Sequence, residues 1–566
     1  MPAVSPKRPT SAHRPTAHRT AAQLVGRLVP VVFEDDHYVA LNKPPRIDLT
    51  APLTRRGPRL VDVLLALRAG APSPLQSAPA GTTPAPVILP EKNASGVALF
   101  AKTEQAVEQL ATEAAAGRLH YQHVLVVKGR IRNRRFTVRP AQVRANRTRA
   151  GDASVPLAGR FDVIRPDRSL NIVRCHTRAA TLSELRCIVR AAELDIVGDA
   201  ERTARLHPDR ARRSRRLMTH LETVAFQHTL GRRTLEITAP TPRSFTEYQS
   251  TNHTPQEHLH VALVRRLMCL LDDQTDCYRL LTAQEGLAGL TADRYANVVV
   301  LETLAGRFHG DEQLLRQVAN WYHRMLDIDT VIARPARQRA TAQANPPVLT
   351  LHGDPIERIV VRESGVRFEV TPAAAGLTGL FADHRENRSR VRAMSSGRDV
   401  LNLFAYTSAF SVSAALGEAR STTSVDLSAK HLEWAKRNFE INGISLDNHW
   451  FIRSEVFAFF ARARRQKRRY DIIIIDPPTF ARSKKPRRTF EIKRDLADLV
   501  AQASGLLRDG GTMLIATNNR SLSVNWLVQQ VEKACSRTWR IAARPVLPVD
   551  FAPDPAYQKT IVVRFS

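Results

Sequence analysis

The chain has 566 residues, of which 43% are hydrophobic, so it is long enough to bury several cores. Its 84 Lys and Arg residues against 54 Asp and Glu residues give a formal net charge of +30, which points to an anionic polymer as partner. The five cysteines lack C-x-x-C spacing and no segment approaches 18 consecutive apolar residues, so composition predicts a cytoplasmic chain without a metal site or a membrane span.

The amino-terminal part divides into a tail and a domain. Residues 1–22 are rich in Pro, Arg, Thr, Ala and His and carry no apolar run, which predicts a disordered basic tail and not a signal peptide. Short strand patterns follow between residues 23 and 248: Val31–Pro45 (VVFEDDHYVALNKPP), Ala94–Lys102 (ASGVALFAK), Asp195–Asp199, Leu217–His220 and Thr238–Pro242. Together these segments resemble the RluA-type pseudouridine synthases, and the resemblance implies an α+β domain that binds RNA.

The resemblance fails at three positions that matter for pseudouridine synthesis. The family's Arg-Leu-Asp nucleophile motif reads Leu89-Pro90-Glu91, so Glu91 replaces the nucleophilic aspartate. The family's active-site tyrosine falls at His123, and the arginine of its Thr-Gly-Arg segment falls at Thr181. A side chain displaced by about 1 Å can lose on the order of a hundredfold in rate. We therefore predict a degenerate synthase domain that keeps some RNA affinity; the alternative is an active synthase with Glu91 as nucleophile.

The segment after this domain predicts a linker and a small second domain. Gln249–Glu257 (QSTNHTPQE) is polar and rich in turn formers, as is typical of a linker. Leu259–Leu271 has the apolar spacing of a helix. We predict a central α+β domain over residues 258–355, followed by a separate α/β domain over residues 356–566.

The last domain predicts alternating strands and helices. The predicted strands are Asp399–Thr407, Ser421–Asp426, Trp450–Arg453, the four isoleucines within Asp471–Phe480 (DIIIIDPPTF), and Thr512–Ala516. The predicted helices are Ser411–Leu416, Lys430–Asn442 and Val456–Ala463. This βαβαβαβ order, with polar residues at successive strand ends, predicts a doubly wound Rossmann-like α/β domain and not a barrel or a sandwich.

The loop after the first of these strands limits the choice of cofactor. It carries no G-x-G-x-x-G fingerprint, which argues against a dinucleotide dehydrogenase. A glycine-poor loop suits a nucleoside without a pyrophosphate, such as S-adenosylmethionine. Asp426 ends the second strand, where a carboxylate can bind a ribose diol.

Five motifs then occur in a characteristic order. They are Thr378–Arg385 (TGLFADHR), Asp399–Thr407 (DVLNLFAYT), Ala419–Asn442 (ARSTTSVDLSAKHLEWAKRNFEIN), Asp476–Phe480 (DPPTF) and Ala516–Arg520 (ATNNR). Over about residues 276–566 the chain resembles the RlmKL/RlmI-like class I S-adenosylmethionine-dependent 23S rRNA methyltransferases, most of all the half that methylates guanine N7. Cys277–Ala296 is similar to the small central domain of the same family.

This resemblance implies S-adenosylmethionine as cofactor and assigns residues to it. Tyr406 and Thr407 would line its methionine end, Asp426 would bind the ribose, and Glu455 would face the adenine amino group. Asp383 and Arg385 would close the pocket from outside the sheet. The full implied cofactor set is Asp383, Arg385, Asn402, Phe404, Tyr406, Thr407, Asp426, Glu455 and Asp476. Two residues depart from the family pattern, since Ser408 replaces a glycine and Glu455 replaces an aspartate.

The Asp-Pro-Pro-Thr-Phe turn is the predicted catalytic site, through Asp476, Pro477, Pro478 and Phe480. Guanine N7 has a free lone pair and no proton, so its methylation needs positioning and not a general base. Phe480 is the candidate for stacking on the base, and Asp476 and Asn518 are candidates for hydrogen bonds to the guanine edge. An exocyclic amine is the nearest alternative target. Cytosine C5 needs a cysteine beside the base, and the chain has Thr517-Asn518-Asn519 where C5 enzymes carry Ser-Cys.

Two basic runs flank the isoleucine strand and its turn. The first comprises Arg462, Arg464, Arg465, Lys467, Arg468 and Arg469, and the second comprises Arg482, Lys484, Lys485, Arg487 and Arg488. The second run, with Asn518, is the predicted RNA-binding set. The predicted partner is large-subunit rRNA or a ribosome-assembly intermediate, and the oligomeric state stays open. The alternatives are a bifunctional synthase and methyltransferase, or a non-catalytic RNA-binding assembly factor that has lost cofactor binding through Ser408.

Overall fold

The computed structural model describes residues 21–50, 59–68, 84–145, 156–167, 170–199, 216–228, 233–246, 255–335, 348–374, 378–484, 487–535 and 537–566. The chain forms two compact units, one mainly from residues up to Thr251 and one mainly from Asn252 onward. The predicted tail and linker lie outside the described residues, apart from Ala21 and Ala22 at the start of the first helix and residues 255–257. In the described part of the chain, every helix is too short or too polar to cross a membrane.

The first unit is built on a mixed sheet of 11 strands. The strands are Val31–Glu34 (β1), Tyr38–Lys43 (β2), Ala85–Ile88 (β3), Ser95–Ala101 (β4), His120–Lys128 (β5), Arg135–Val138 (β6), Gly159–Arg165 (β7), Leu170–Thr177 (β8), Asp195–Ile196 (β9), Thr219–Gln227 (β10) and Thr234–Thr238 (β11). Their order is β1-β2-β4-β10-β5-β8-β7-β6, with β3 on β4, β9 on β5 and β11 on β10. The β4–β10 pair is parallel, whereas β10 and β5 are antiparallel.

Helices complete this unit and bury its apolar side chains. They are Ala21–Leu28 (α1), Leu60–Arg68 (α2), Glu104–Ala115 (α3), Pro140–Ala145 (α4), Leu182–Ala191 (α5) and Arg243–Thr246 (α6). Leu110 of α3 packs in one core with Leu99 and Phe226, and Ile188 of α5 packs in another with Phe161. The predicted α+β class of this region is confirmed.

The second unit begins with a five-stranded sheet and a hairpin. Its first strands are Cys277–Leu281 (β12), Leu290–Tyr295 (β13), Val298–Thr303 (β14), Thr330–Pro335 (β15) and Leu349–His352 (β16), in that spatial order, and the hairpin is Ile359–Glu363 (β17) with Val366–Val370 (β18). Its first helices are Pro255–Arg265 (α7), Leu267–Leu271 (α8) and Glu312–Leu326 (α9). The helix predicted over Leu259–Leu271 is therefore interrupted at Arg266, whose buried guanidinium donates to the carbonyl oxygens of Ala262 and Arg279 at 2.8 and 2.6 Å.

The rest of the second unit is a seven-stranded sheet covered by helices. The strands are Asp399–Leu403 (β19), Ser421–Asp426 (β20), His449–Arg453 (β21), Tyr470–Ile475 (β22), Leu507–Thr517 (β25), Trp539–Ala543 (β26) and Lys559–Phe565 (β27), with a separate hairpin Phe480–Lys484 (β23) and Arg487–Glu491 (β24). The helices are Arg385–Ala393 (α10), Ala409–Leu416 (α11), Ala429–Glu440 (α12), Val456–Arg465 (α13), Ile492–Ser504 (α14) and Val524–Ala534 (α15). The sheet order is β21-β20-β19-β22-β25-β27-β26.

The first five strands of that order are parallel, and β27 and β26 add antiparallel pairs at one edge. This confirms the predicted doubly wound α/β class. The two antiparallel strands and the β23–β24 hairpin were not predicted from the sequence.

The four isoleucines of β22 show why this strand is apolar throughout. Successive side chains of a strand point to opposite faces, so a sheet covered on both faces needs apolar residues at every position. Ile473 and Ile475 pack in the core that contains Phe459, whereas Ile472 and Ile474 pack in the core that contains Phe410. The strand is thereby fixed, and the polar turn after it is held at the sheet edge.

Candidate active site

A cavity of about 310 Å³ opens at the carboxyl ends of the parallel strands. Strand β19 lies between β20 and β22, so the chain winds to opposite sides from this point, which is where open α/β sheets bind ligands. The predicted residues that the structure brings into the cavity wall are Asn402, Phe404, Tyr406, Thr407, Asp426, Glu455, Asp476, Pro477, Pro478, Arg488 and Asn518. The single cavity brings together predicted residues that lie up to 116 positions apart in the sequence, from Asn402 to Asn518.

Other predicted residues lie outside this wall. The described ones are Asp383, Arg385, Phe480 and Arg482. Arg385 is buried and its Nη2 lies 2.5 Å from Oδ1 of Asp550, so its guanidinium is engaged in an internal ion pair. The side chains of Lys484, Lys485 and Arg487, predicted to contact RNA, lie outside the described part of the structure.

The loop between β19 and α11 is shaped by left-handed backbone at residues other than glycine. Phe404, Tyr406 and Ser408 have φ angles of 55°, 50° and 60°. The N–H of Tyr406 donates to Oδ2 of Asp426 at 2.9 Å, and the Thr407 hydroxyl donates to the carbonyl of Gly379 at 2.6 Å. The loop therefore makes its tight turns with residues other than glycine, although it lacks the G-x-G-x-x-G motif.

Two carboxylates lie at neighbouring strand ends. Asp426 ends β20, and its Oδ1 accepts from the N–H of Ser428 at 2.8 Å, so the carboxylate is held by backbone on both oxygens. Glu455 precedes α13 and its Oε2 accepts from the N–H of Ala458 at 2.9 Å, which makes it the N-cap of that helix. Sequence reasoning assigned Glu455 only a ligand role, but its position two residues after β21 also fits an N-cap.

His384 is a wall residue that the sequence analysis did not single out. Its Nε2 lies 3.1 Å from Oδ2 of Asp476, and its ring packs edge-on against Phe410. Burial alone would lower the pKa of His384, but the carboxylates of Asp476 and Asp383 raise it above its ordinary value. Burial also raises the pKa of Asp383. The signal in the sequence was the Ala382-Asp383-His384-Arg385 segment, of which only Asp383 and Arg385 were considered.

The turn after β22 carries the other side of the cavity. Pro477 and Pro478 line it directly, and Asn518 approaches from the end of β25. Phe480 follows at the start of β23 and is 57% exposed, so its ring is open to solvent beside the cavity. An exposed aromatic ring at this place can stack on a planar base.

The five cysteines do not reach the cavity. None of the described wall residues is a cysteine, and Cys175, Cys269 and Cys277 are buried. Burial raises the pKa of Cys269 to about 12 and also raises the pKa of Cys535. A thiolate that could add to a pyrimidine ring is therefore missing from the described wall.

A second cavity, of about 220 Å³, lies in the first unit and brings Glu91, His123 and Thr181 together. The Glu91 side chain is exposed. The backbone carbonyl of Glu91 accepts a hydrogen bond from the buried Lys43 ammonium at 3.0 Å. Burial lowers the pKa of His123 to about 3, and neither of its ring nitrogens has a hydrogen-bond partner. Thr181 caps α5 in a reciprocal pair with Glu184.

Comparison with known proteins bears on the second unit. Residues 286–560 match a family described as S-adenosylmethionine-dependent methyltransferase. Over 283 residues the chain is 33% identical to the ribosomal RNA large subunit methyltransferase K/L of Vibrio cholerae. The aligned region makes up 49% of this chain and 38% of that protein. The match thus spans less than half of the curated relative.

Solved structures add two likenesses. SMU.776, a candidate methyltransferase complexed with SAH, is 26% identical with a TM-score of 0.50, covering 60% of this chain and 87% of that one. Human RNA Pseudouridylate Synthase Domain Containing 4 is 13% identical with a TM-score of 0.29, covering 40% of this chain and 94% of that one. Residues 286–560 thus carry a methyltransferase domain whose family uses S-adenosylmethionine.

Proposed function

We propose, from the methyltransferase domain at residues 286–560, that this protein is a cytoplasmic enzyme that methylates a guanine, with N7 favoured, in large-subunit rRNA. The observation that carries the proposal is the single cavity that joins Asp426 and Glu455 to the Asp476-Pro477-Pro478 turn. The rRNA substrate is supported by the name of the Vibrio cholerae relative and by the net charge of +30.

The cavity residues fit S-adenosylmethionine. A volume of about 310 Å³ lies within the range of small-molecule sites. The carboxylate of Asp426 would accept hydrogen bonds from the ribose hydroxyls, and Glu455 would accept from the adenine amino group. Tyr406 and Thr407, fixed by their bonds to Asp426 and Gly379, would hold the methionine end. When bound, this cofactor supplies a methyl group on a positively charged sulfur.

The remaining residues would position the base. The Asp476 carboxylate, held by His384 at 3.1 Å, would accept a hydrogen bond from a guanine N–H, and Asn518 offers a second polar contact. Phe480 would stack on the base from the exposed side. In N7 methylation the N7 lone pair would form the new bond to the methyl carbon as the bond from that carbon to sulfur breaks, leaving S-adenosylhomocysteine. The base loses no proton, so these residues would act by orientation and need not accept one.

The residues of the cavity wall also distinguish between the competing methylation targets. Carbon-5 of cytosine is disfavoured because the described wall offers no cysteine nucleophile. The exocyclic amine of guanine remains the second candidate, because Asp476 could take the proton that such a reaction releases.

The first unit is proposed as an RNA-binding attachment with a degenerate synthase site. A bifunctional enzyme and a non-catalytic ribosome-assembly factor remain the alternatives, and the substrate form, free rRNA or an assembly intermediate, belongs to the proposal.

The test is nucleoside mass spectrometry of large-subunit rRNA from cells with and without the gene. We expect loss of one 7-methylguanosine, with 5-methylcytidine and pseudouridine unchanged. Loss of N2-methylguanosine in its place would move the target to the amine, and loss of pseudouridine would establish the bifunctional enzyme. No change in any modified nucleoside would refute the proposed activity and favour the assembly factor.

Variants of Asp476 test the placement of the site. Asp476→Ala removes the carboxylate beside the base, so we expect methyl transfer to deproteinised rRNA to fall below detection. RNA affinity should persist because it is dominated by phosphate contacts. Glu433→Gln, on the exposed side of α12, serves as a matched acidic control and should leave transfer unchanged. Full transfer by Asp476→Ala would place the active site elsewhere.

A further inference from the structure

The hairpin formed by β23 and β24 has two chemically different faces. Its strands pair antiparallel, with Ala481 opposite Phe490, Arg482 opposite Thr489, and Ser483 opposite Arg488. Side chains alternate between the faces of a strand. The residues that line the active-site cavity are Ala481, Ser483, Arg488 and Phe490, whereas Phe480, Arg482, Thr489 and Glu491 are exposed. The alternation holds at every described position of both strands, so the hairpin is a wall between cavity and solvent.

The cavity face carries a cation that the sequence assigned to RNA. The guanidinium carbon of Arg488 lies 3.4 Å from the centre of the Phe457 ring, and Nη2 lies 3.6 Å from Oδ2 of Asp498. Arg488 and Glu455 both line the active-site cavity, so Arg488 is a wall residue of the cavity that would hold the adenosine. The ring centre of Phe490 lies 5.4 Å from that of Phe404, in the loop between β19 and α11. The inner face thus contacts helix α13, which Glu455 caps, and the loop between β19 and α11.

The outer face has the composition of an RNA contact. Phe480 is 57% exposed and Arg482 is exposed two residues further along the same strand. An aromatic ring next to an arginine suits a base and its phosphate in single-stranded RNA. Glu491, opposite Phe480, is the one acidic residue of the described outer face. Because Phe480 is only two residues beyond Pro478, which lines the cavity, the RNA would meet this face beside the cavity.

We propose that the β23–β24 hairpin is an element shared by cofactor and RNA. Arg488 contacts the adenosine end of S-adenosylmethionine from the inner face, and Phe480 and Arg482 contact the RNA from the outer face. This inference rests on the proposed function and deepens it, because it makes Arg488 a cofactor residue and couples the two bindings. Because both ligands would contact the same hairpin, we expect a hairpin position that suits one ligand to suit the other, and by linkage each ligand then strengthens the binding of the other by the same factor.

Equilibrium dialysis with radiolabelled S-adenosylhomocysteine tests this, because that product binds without turnover. The RNA is deproteinised large-subunit rRNA from cells lacking the gene. We expect saturating RNA to raise the wild-type affinity for S-adenosylhomocysteine about fivefold or more. Arg488→Gln should weaken it about tenfold without RNA and leave RNA affinity without cofactor unchanged. Arg482→Ala should do the reverse, weakening RNA binding alone, and Arg316→Ala, at an exposed arginine of α9, serves as the charge-matched control.

The outcomes separate the inference from the function. Arg488→Gln that folds, as judged by its melting temperature, and binds S-adenosylhomocysteine as the wild type does would overturn the inference. Equal wild-type affinity with and without RNA would overturn it as well. Should Arg488→Gln fail to fold, Arg488→Lys, which keeps the charge but loses the planar fork, is measured in its place and should still bind the product more weakly. A wild type that binds no S-adenosylhomocysteine at all would refute the proposed function and not only the hairpin.

Discussion

Ser408, in the loop between β19 and α11, has a backbone conformation that costs stability. Its φ of 60° lies in the left-handed region, which costs a residue with a side chain about 1 kcal/mol or more. It occupies the N-cap position of α11, yet its hydroxyl caps nothing and is buried without a hydrogen-bond partner. Tyr406, also left-handed, is held by the bond of its N–H to Asp426. Backbone strain of this kind is common in ligand-binding loops that already have their binding conformation before the ligand arrives.

Ser408→Gly should therefore stabilise the protein. Glycine removes both the left-handed penalty and the unpaired hydroxyl, partly offset by the greater freedom of glycine in the unfolded chain. We expect the free energy of unfolding to rise by about 1 kcal/mol, measured by urea denaturation. Ser413→Gly, within the same helix, should lower it by a similar amount because glycine is unfavourable in helix interiors. A destabilised Ser408→Gly protein would show that the hydroxyl has a partner in solution.

The His384–Asp476 pair should make stability depend on pH. The folded-state pKa of His384 is raised, so its charged form contributes stability that is complete below the unfolded pKa of about 6.5 and is lost as pH rises through the folded value. In the structure the Asn387 amide nitrogen lies 3.0 Å from Nδ1 of His384, and the Asn387 amide oxygen has no hydrogen-bond partner. Because a charged imidazole donates from both ring nitrogens, the Asn387 amide must turn so that its oxygen accepts from Nδ1.

The comparison is made with His384→Gln, which cannot titrate. We expect the stability advantage of the wild type over this variant, measured by denaturation from about pH 5.5 to about pH 8.5, to shrink as pH rises. An advantage that grows with pH would mean that His384 is neutral in the folded protein.

At the scale of elements, the strands and helices with a clear apolar period were predictable from the sequence. The strand Ser421–Asp426 was predicted with its observed bounds, because its β-branched residues precede a carboxylate and a helix. The hairpin after the Pro-Pro turn was not predicted, because Lys484–Arg488 is dominated by charge and does not alternate in polarity. Its alternation appears only when Ala481, Ser483 and Phe490 are seen to share a cavity. Likewise, the N-cap role of Glu455 depends on where β21 ends, which the sequence could not fix to one residue.

Helix α10 and the β17–β18 hairpin are joined by a buried ion pair. Both Arg388 and Glu363 are 3% exposed, and the Arg388 Nε and Nη2 atoms each lie 2.6 Å from a Glu363 oxygen. Removing one partner leaves a buried, unpaired charge, which typically costs about 3–5 kcal/mol. We expect Glu363→Leu to lose that much stability in urea denaturation.

The double variant Glu363→Leu/Arg388→Met is the matched control, since it removes both charges. It should recover most of the loss, because apolar pairs of similar volume replace buried ion pairs at little cost. If the double variant were as unstable as Glu363→Leu alone, shape and not the charge left behind would explain the loss.

On the scale of the whole molecule, charge and chemistry have separate origins. The net charge of +30 is spread over both units and favours any anionic polymer, so it cannot distinguish substrates. The proposed methyl transfer would take place in one cavity of the second unit, whose predicted wall residues lie at or near the ends of predicted strands. Side-chain partners such as Asp550 of Arg385, 165 residues away, could not be read from the sequence.

The first unit offers the last test, because its cavity holds Glu91, His123 and Thr181, the residues of the proposed degenerate synthase site. His123 is neutral at pH 7, since burial lowers its pKa to about 3, and it therefore cannot supply a charged acid. Glu91 is exposed on a segment whose carbonyl is bound by Lys43, and Pro90 restricts the backbone before it. We expect Glu91→Ala to leave both the pseudouridine and the 7-methylguanosine content of large-subunit rRNA unchanged, measured by nucleoside mass spectrometry in cells carrying each variant. Asp476→Ala is the reciprocal control, because it should remove 7-methylguanosine alone. A specific fall in pseudouridine with Glu91→Ala would make Glu91 a nucleophile despite its added methylene, and the protein a bifunctional enzyme.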